Sequence, residues 1–500
     1  MHPSAHAGST PSKPAIVMAA TGETIDYASL EVRSNQIAHA LRALGLKRGD
    51  VVATLFDNGP EVFIFGFAAQ RIGLYLTSIS NKLSAADVAY ILEDCGAALL
   101  VASERYLGLA GQATALAANV DLFGWQEWAD RTSEFPGTPV ADQSPGTDML
   151  YSSGTTGRPK GVKFPLPVGL VDQETPLMAM GRQLYEMGPD TIYLSTSPLY
   201  HAAPLRWAMT ILRLGGIVIV MERFDAEETL ALIERYAITH ATFVPTHFIR
   251  MLKLDEDMRA RYDMRSLRAV VHAAAPCPIP VKQAMIDWWG PIIHEYYSGT
   301  EQCGITAISA MEWLAKPGSV GRAVLGTVRI TDEAGQEVPP GVDGNVCFAG
   351  GPAFEYHKDP EKTAAAYDRN GWASLGDVGH LDEDGFLFLT DRKSFMIISG
   401  GVNIYPQEIE NCLVTHPGVA DVAVIGVPDE DLGESVLAVV QPAEGVQEDD
   451  QLALQLRDFA RSALGGVKTP RQFVFRAELP REPTGKLMKR KLADEFRAKR

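Results

Sequence analysis

An α/β fold is predicted by three features of the 500-residue sequence: alternating helix and strand patterns, a later β-rich stretch, and a mixed unit near the C-terminal end. The segment from Leu30 to Leu44 has apolar residues at helical spacing, Gly45 follows as a stop signal, and VVATLF reads as a strand. The alternation returns in VAYILEDCG with AALLVAS, ETLALIERYAI with ATFVP, and LRAVVHAA with VKQAMIDWW. This pattern favours helices packed on largely parallel sheets.

The sequence pattern changes from about Gly326. There, TVRITDEAGQEVPPGVDGNVCFAG and HLDEDGFLFLTD consist of short strand patterns separated by turn-forming Gly, Pro and Asp, which predicts a β-rich part. Beyond Asp391 a mixed α/β unit of about 110 residues is predicted from EIENCLVTH, VADVAVIGVP, SVLAVVQP, LALQLRDFARSAL and RQFVFRAE. We therefore place a domain boundary after Asp391, where the polar run DRKS fits either a hinge or an ordinary surface turn.

The composition limits the class of protein. Apolar residues make up 46% and charged residues 21% of the chain, which is typical of globular proteins and excludes collagen, coiled-coil and disordered chains. The net charge of −17 opposes broad attraction to nucleic acid or to anionic membranes. Residues 461–500 nevertheless carry twelve basic and four acidic residues, which fits either a solvated face or a surface that helps to hold an anionic ligand.

Targeting and redox signals point to a cytoplasmic protein. The five cysteines are far apart and include no CxxC pair, so neither a disulfide framework nor a zinc site is indicated. The first residues show no basic stretch followed by an apolar run, as a signal peptide would have. No stretch reaches the roughly 18 uninterrupted apolar residues of a membrane span, so no integral membrane segment is predicted.

The segment Tyr151 to Gly161 is the most informative part of the sequence. It reads YSSGTTGRPKG and brings two hydroxyl pairs, three glycines and a lysine into eleven residues. Glycines let main-chain N–H groups approach phosphate oxygens, hydroxyls add donors, and Lys160 adds a positive charge. A Walker A loop needs Lys directly after its second Gly, whereas Gly157 is followed by Arg158 and Pro159. A generic loop of this composition would also fit a flexible solvent loop.

This segment resembles the phosphate-binding signature of the adenylate-forming superfamily, which includes acyl-CoA synthetases, aryl-CoA ligases, luciferases and peptide-synthetase adenylation domains. The resemblance covers nearly the whole chain, and further motifs follow in the family's order. It implies a large N-terminal domain, residues 1–391, made of two α/β subdomains and a β-rich subdomain. It also implies a small, mobile α+β C-terminal domain, residues 392–500. Together these domains would activate a carboxylic acid as an acyl-AMP and pass the acyl group to a thiol.

The resemblance also implies the site residues. Four residues would be catalytic: Lys486 in EPTGK for adenylation, His201 in PLYHAAP near the acyl carboxylate, and Thr300 and Glu301 in YYSGTEQ at the α-phosphate and Mg²⁺. Gly400 and Gly401 would line the pantetheine path of CoA. The residues that would bind ATP and AMP are Ser152, Ser153, Gly154, Thr155, Thr156, Gly157, Lys160, Ala274, Ala275, Pro276, Tyr296, Tyr297, Ser298, Thr300, Asp377 and Arg392.

The chemistry of these residue types suits the implied roles. A carboxylate oxygen prefers a hard cation such as Mg²⁺, which fits Glu301, and a carboxylate can accept both hydroxyls of a ribose, which fits Asp377. An ammonium near developing negative charge stabilises a transition state, which fits Lys486. Taken singly, these motifs would equally fit solvated turns or strand ends, and His201 would fit a core histidine.

The sequence departs from the family pattern at several positions. The hinge position holds Ser394 instead of Lys or Asp, and Phe395 follows where Asp or Glu is common. Leu375 replaces the usual Thr before Gly-Asp. His272 and Tyr296 are bulkier than the Ser or Gly often found there, which predicts a shortened or reshaped acyl pocket.

The predicted function is that of an ATP-dependent acyl-CoA ligase. Apolar residues near the motifs favour a fatty or aryl-substituted acid over acetate: Leu199, Ala202, Ala203, Val244 and Ile305. Three alternatives stay open, namely an adenylation enzyme that loads a carrier protein, a phosphotransferase that makes ADP, and a non-catalytic nucleotide-binding module. The particular acid and the oligomeric state also stay open, with a homodimer as one alternative.

Overall fold

The computed structural model of the chain describes residues 2–152, 159–392, 395–429, 431–481 and 487–498. Its α-helices, in chain order, are α1 (Pro3–Ser9), α2 (Tyr27–Ala43), α3 (Pro60–Arg71), α4 (Ala85–Cys95), α5 (Leu107–Leu116), α6 (Trp125–Thr132), α7 (Pro176–Tyr185), α8 (Ala202–Leu214), α9 (Ala226–Arg235), α10 (Pro245–Leu252), α11 (Glu256–Arg259), α12 (Ile279–Trp289), α13 (Ala310–Ala315), α14 (Pro360–Ala365), α15 (Pro406–Leu413), α16 (Asp450–Leu464) and α17 (Lys489–Ala498).

The strands of the same described residues are β1 (Pro14–Met18), β2 (Thr24–Asp26), β3 (Val51–Leu55), β4 (Tyr75–Ser78), β5 (Ala97–Ala102), β6 (Asp121–Gly124), β7 (Thr147–Asp148), β8 (Leu150–Ser152), β9 (Lys160–Lys163), β10 (Ile192–Ser195), β11 (Ile217–Val220), β12 (His240–Phe243), β13 (Ala269–His272), β14 (Ile293–Tyr297), β15 (Ile305–Ile308), β16 (Ser319–Leu325), β17 (Thr327–Thr331), β18 (Gly344–Ala349), β19 (Glu355–Tyr356), β20 (Ala373–Leu381), β21 (Leu387–Arg392), β22 (Ile397–Ser399), β23 (Val402–Ile404), β24 (Val419–Asp429), β25 (Gly433–Pro442) and β26 (Gln472–Phe475).

The chain divides into two compact units, of which the first comprises Met1–Phe243, Leu254–Val271 and Ala353–Ala364. It contains a parallel sheet in the order β6-β5-β3-β4-β7. Every residue of β3 and β4 is buried, as expected for strands covered on both faces. The α4 residues Val88, Ile91 and Leu92 pack into the core of this sheet.

A second sheet of this unit has β10 between the parallel strands β11 and β12. β1 pairs in parallel with β11 and carries the antiparallel strand β2 on its other side. A small antiparallel sheet has the order β19-β9-β8. This small sheet flanks the predicted phosphate-binding segment.

The second compact unit comprises Val244–Lys253, His272–Pro352 and Ala365–Arg500. Its larger sheet has the order β17-β18-β20-β21-β16-β15-β14 and is built from antiparallel pairs. Its smaller sheet has the order β23-β22-β25-β24, and β26 pairs in parallel with β25. The core on one side of the smaller sheet includes α15 and α16, and a second core includes Leu492 of α17.

The predicted mixed α/β architecture is confirmed. The predicted helix at 30–44 corresponds to α2, and VVATLF corresponds to β3. The stretch after Gly326 forms β17, β18, β20 and β21, as its turn-rich pattern predicts. The domain boundary after Asp391 and the mobility of the C-terminal domain stay predictions. Among the described helices, none combines the length and apolar character needed to cross a bilayer.

Candidate active site

The segment predicted to bind phosphate is anchored at both ends by a β-hairpin. β8 ends at Ser152 and β9 begins at Lys160, and these two residues lie opposite each other in the antiparallel register. Both are partly exposed. The predictions for five residues concern positions outside the described part of the chain: Ser153, Gly154, Thr155, Thr156 and Gly157.

The base of this hairpin is tied to the end of α4. The Tyr151 hydroxyl donates a hydrogen bond to the Asp94 carboxylate, and Lys358 Nζ donates to the main-chain oxygen of Asp94 at 2.6 Å. A Cβ at Gly161 would lie 2.9 Å from Cζ of Tyr151, so a larger residue there would displace the Tyr151 ring. Asp94 is not recognisable as a site residue from the sequence, because EDCG is typical of an ordinary helix end.

Asp377 lies at the centre of a polar cluster in the second unit. The Tyr297 hydroxyl donates to Asp377 Oδ2 at 2.6 Å, and Arg392 Nε lies 3.1 Å from Asp377 Oδ1. Asp377 and Arg392 face each other in the register of β20 and β21, while Tyr297 ends β14. The structure therefore brings Tyr297 together with two residues that lie far from it in the sequence.

The electrostatics keep the Tyr297 hydroxyl protonated. Burial, together with the Asp377 charge, raises the pKa of Tyr297 well above its ordinary value of 10.0. The Tyr297 ring stacks on Phe348 with centroids 6.1 Å apart and an interplanar angle of 28°. Tyr297 is thus fixed by its ring and acts as a hydrogen-bond donor to a carboxylate that is only 7% exposed.

The loop between β14 and β15 carries Thr300 and Glu301, both partly exposed. The Ser298 hydroxyl donates to the main-chain oxygen of Gly304 at 2.8 Å, which closes the loop. A Cβ at Gly304 would lie 1.9 Å from the ring of Phe348, so the backbone can approach that ring only at a glycine. Thr300 and Glu301 therefore lie in a loop whose two ends are joined by the hydrogen bond between Ser298 and Gly304.

Glu301 lies close enough to Cys303 to act on its ionisation. Burial, and then the Glu301 charge, raises the pKa of the Cys303 thiol to about 12. The thiol is therefore neutral and unreactive at physiological pH. Within the described part of the chain, no group of three or more His, Cys, Asp or Glu residues could hold a metal ion. A cation at Glu301 would thus need oxygen ligands from a bound phosphate as well, which is the usual coordination of Mg²⁺.

The segment Ala274 to Pro276 follows the buried strand β13 and is exposed. Ala274 has a φ of 75°, an uncommon conformation for a residue with a Cβ. Small side chains in an exposed segment leave the backbone accessible, and the adenine contact of Ala274, Ala275 and Pro276 stays a prediction.

A buried polar cluster includes His272, the last residue of β13. Lys282 Nζ is 2.6 Å from Glu295 Oε2, and His272 Nε2 is 3.4 Å from the same oxygen. His272 and Lys282 are 0% exposed and Glu295 is 5% exposed. Burial, and then Lys282, lowers the pKa of His272 well below 6.5, so its ring is neutral. His272 thus belongs to a core, and its predicted effect on an acyl pocket stays a prediction, as does that of Tyr296, which is partly exposed.

His201 precedes α8 and caps it without a side-chain hydrogen bond. Its ring packs on Tyr200 with centroids 4.6 Å apart, and its Nε2 is buried with no hydrogen-bond partner. Burial lowers the pKa of His201 to about 3. The neutral ring therefore has an unsatisfied polar atom, which fits a residue that meets a substrate.

Asn58 positions the chain that leads to His201. Its Nδ2 donates to the main-chain oxygen of Met221 at 2.9 Å, and its Oδ1 accepts from the main-chain N of Leu199 at 2.8 Å. Asn58 is not recognisable as a site residue from the sequence, because DNGP resembles any turn that precedes a helix.

Gly400 and Gly401 form the two-residue turn between β22 and β23. Their φ angles are 57° and 77°, and Ser399 faces Val402 across the turn. Both glycines are exposed. A hairpin turn with two left-handed residues explains the glycines on its own, so the CoA contact stays a prediction.

Lys486 and the hinge candidate Ser394 lie outside the described residues. Arg481 pairs with Leu487 across an isolated bridge, and its guanidinium binds the Asp421 carboxylate. Near the hinge, the Asp391 carboxylate accepts a hydrogen bond of 2.9 Å from the main-chain N of Gln407, in the first turn of α15. The chain on both sides of 393–394 is therefore linked by a direct hydrogen bond.

Comparison with known proteins identifies the family to which this chain is similar. A family model for AMP-binding enzymes matches residues 4–355, and a model for the AMP-binding enzyme C-terminal domain matches residues 408–486. The fatty acid–[acyl-carrier-protein] ligase ScoC of Streptomyces coeruleorubidus is 33% identical, with 98% of this chain and 95% of that protein covered. The indoleacetate–CoA ligase of Aromatoleum aromaticum is 32% identical, with coverages of 97% and 95%.

Solved structures agree with these sequence matches. The structure of ATP-bound MatB from Rhodopseudomonas palustris superimposes with a TM-score of 0.82 at 28% identity, over 99% of each chain. Fold and sequence therefore define an adenylate-forming enzyme, as the resemblance implies. The chain belongs to the AMP-binding enzyme family, and it is an AMP-forming acid–thiol ligase.

Proposed function

We propose that the protein activates a hydrophobic carboxylic acid, fatty or aryl-substituted, as an acyl-AMP and transfers the acyl group to CoA. In the first step a carboxylate oxygen attacks the α-phosphorus of ATP, the bond to the β-phosphate oxygen breaks, and pyrophosphate leaves. In the second step the CoA thiol loses its proton, its sulfur attacks the acyl carbon, and AMP leaves.

The buried Asp377 carboxylate, held between Tyr297 and Arg392, supports this proposal most strongly. A fixed carboxylate suits a vicinal diol because its two oxygens can accept both hydroxyls. Tyr297 donates to one oxygen and Arg392 lies beside the other, so the carboxylate is oriented before a nucleotide arrives. Asp377 and Arg392 would thus bind the ribose, and Tyr296, Tyr297, Ser298 and Ala274 to Pro276 would surround the adenine.

The reacting phosphate would be stabilised by charged and hydroxyl groups. Ser152, Lys160 and the segment between them would bind the outer phosphates, while Thr300 would contact the α-phosphate and Lys486 the developing negative charge. Glu301 would hold Mg²⁺ together with phosphate oxygens. When bound, Mg²⁺ would offset the charge of the triphosphate. These roles rest on the family motifs and on the donor types present.

His201 would orient the acid. Because its pKa is lowered to about 3, the ring is neutral near pH 7 and can offer its buried Nε2 as a hydrogen-bonding group. A neutral partner can bind a carboxylate without forming an ion pair that would reduce the nucleophilicity of the oxygen. We assign the choice of acid to the apolar residues next to His201 in the sequence, Leu199, Ala202 and Ala203.

A second acceptor for the acyl group is favoured by one observation. ScoC, at 33% identity over nearly the whole chain, is named as a ligase that acts on an acyl carrier protein. Loading of a carrier protein is therefore the second candidate function. It shares the acyl-AMP step and differs in the thiol that attacks.

A screen for pyrophosphate release across acids of varied length and aromaticity tests the proposal. Each acid is supplied with ATP and Mg²⁺, and then with either CoA or a carrier protein that bears phosphopantetheine. Acid-dependent pyrophosphate and an acyl-CoA product support the CoA ligase. An acyl product on the carrier protein alone supports the second candidate, and ADP in place of AMP contradicts both.

A further inference from the structure

The ammonium of Lys160 lies over the ring of Tyr356. Lys160 Nζ is 4.6 Å from the ring centroid, within the distance at which an aromatic face attracts a cation. Tyr356 is 8% exposed, so the contact is shielded from water on the side of the ring. Such contacts are stronger when the cation is partly desolvated.

The ring that receives Lys160 is held rigidly. Tyr356 pairs with Val162 in the register of β19 and β9, and its main-chain N donates to Thr363 Oγ1 at 2.9 Å. The Phe354 ring meets it edge to face, with centroids 5.4 Å apart and an angle of 78°. Both the backbone and the ring of Tyr356 are therefore fixed relative to the strand that carries Lys160.

An aromatic face holds a cation in a way that a carboxylate does not. It attracts the ammonium through its quadrupole and leaves the full positive charge on the nitrogen. The neighbouring Asp359 is within electrostatic range of Lys160, and its carboxylate is bound by Lys362 at 2.7 Å. The contact with Tyr356 thus adds no negative charge that would compete with a phosphate for Lys160.

We propose that Tyr356 is a positioning residue that holds the Lys160 ammonium at the start of β9, ready to meet the outer phosphates of ATP. The inference rests on the proposed function, since it takes Lys160 as a phosphate-binding group. It adds a residue from a separate segment, EYHKDPEKT, to the nucleotide site. Pre-placing the cation lowers the ordering cost of binding, because a free lysine side chain loses considerable rotamer entropy.

Calorimetric titration of the full-length enzyme with MgATP and with adenosine tests this. Tyr356→Leu removes the aromatic face and should weaken MgATP binding by about 5- to 30-fold, while adenosine binding changes by less than about 2-fold. Tyr356→Phe keeps the face and should retain most of the MgATP affinity. In a Lys160→Met background, Tyr356→Leu should add less than about 2-fold, because the interacting cation is gone.

A matched control distinguishes positioning from general loss of packing. Phe67→Leu truncates another buried aromatic ring of the same unit, one that packs edge to face on His2. It should lower thermal stability without a selective loss of MgATP affinity. Equal weakening of MgATP binding and adenosine binding by Tyr356→Leu would overturn this inference. So would an undiminished effect of Tyr356→Leu in the Lys160→Met background. Neither result would contradict the proposed function. Failure of the wild-type enzyme to bind MgATP would overturn the proposed function as well.

Discussion

The Tyr297 hydroxyl donates a 2.6 Å hydrogen bond to Asp377, although 80 residues separate the two in the sequence. The contact exists because β14 ends at Tyr297 in the same sheet in which β20 presents Asp377 opposite Arg392. A hydrogen bond to an ionised acceptor is among the stronger contacts in proteins, and here the acceptor is buried. The proposed ribose-binding carboxylate is therefore oriented by the fold.

Tyr297→Phe removes this hydrogen bond and keeps the ring. We expect ATP to bind about 10-fold more weakly, because Asp377 loses a donor that orients it. The effect should be smaller for 2′,3′-dideoxy-ATP, which lacks both hydroxyls. Titration of both nucleotides against wild type and variant measures the difference. Equal losses for the two nucleotides would argue that Tyr297 acts on the adenine alone.

Lys486→Ala should separate the two half-reactions. Acid-dependent pyrophosphate release should slow by about 10²–10³, as when one pre-organised charge-stabilising group is removed. Thioester formation from supplied acyl-AMP should change little. Lys491→Ala, which alters an exposed lysine of α17, serves as the matched control. Comparable slowing of both half-reactions would refute a role confined to adenylation.

The buried pair of Lys282 and Glu295 makes a prediction about stability. Lys282→Met leaves the Glu295 carboxylate buried without its cation, so the free energy of unfolding should fall by about 3–5 kcal/mol. The double variant Lys282→Met with Glu295→Leu should recover most of that loss, because no uncompensated charge remains. Urea unfolding of the three proteins measures this. A double variant as unstable as the single one would show that the pair is needed for more than charge balance.

Stability should also fall in mild acid. Burial lowers the pKa of His201 and of His247 to about 3, whereas in the unfolded chain both imidazoles titrate near 6.5. Between these two values the unfolded chain binds protons that the folded chain does not, so the free energy of unfolding decreases as the pH falls. His247→Gln should flatten this dependence in urea unfolding at pH 7.5, 6 and 5. An unchanged slope would mean that His247 is accessible to protons in the folded state.

Much of the fold could be predicted from the sequence where local pattern and burial agree. The strand VVATLF and the helix before it have the apolar spacing of the elements that they form, β3 and α2. The hairpin of β8 and β9 could not be found in this way. Its strands have three and four residues, and its register depends on Tyr151, Asp94 and β19, contacts that involve distant parts of the chain.

The candidate site could be predicted only at the positions that belong to a recognisable sequence motif. Asp377 and Tyr297 were identified through family motifs, but nothing in the spacing of 80 residues predicts the hydrogen bond between them. Tyr356 and Asn58 carry no motif, and their importance depends on a ring face and on main-chain partners that only the folded chain supplies. The bulk of His272 was readable from the sequence, but its contacts with Phe248 and Glu295 come from distant parts of the chain and were not.

The central claim is that the reaction passes through an acyl-AMP. Following an oxygen label from the acid into the products tests this claim most directly. The enzyme is incubated with ATP, Mg²⁺, CoA and an acid in which both carboxylate oxygens are ¹⁸O, and the AMP formed is examined by mass spectrometry. If the carboxylate oxygen attacks the α-phosphorus, each AMP carries one ¹⁸O from the acid, and pyrophosphate carries none. AMP without the label, or label in the pyrophosphate, would contradict an acyl-AMP intermediate.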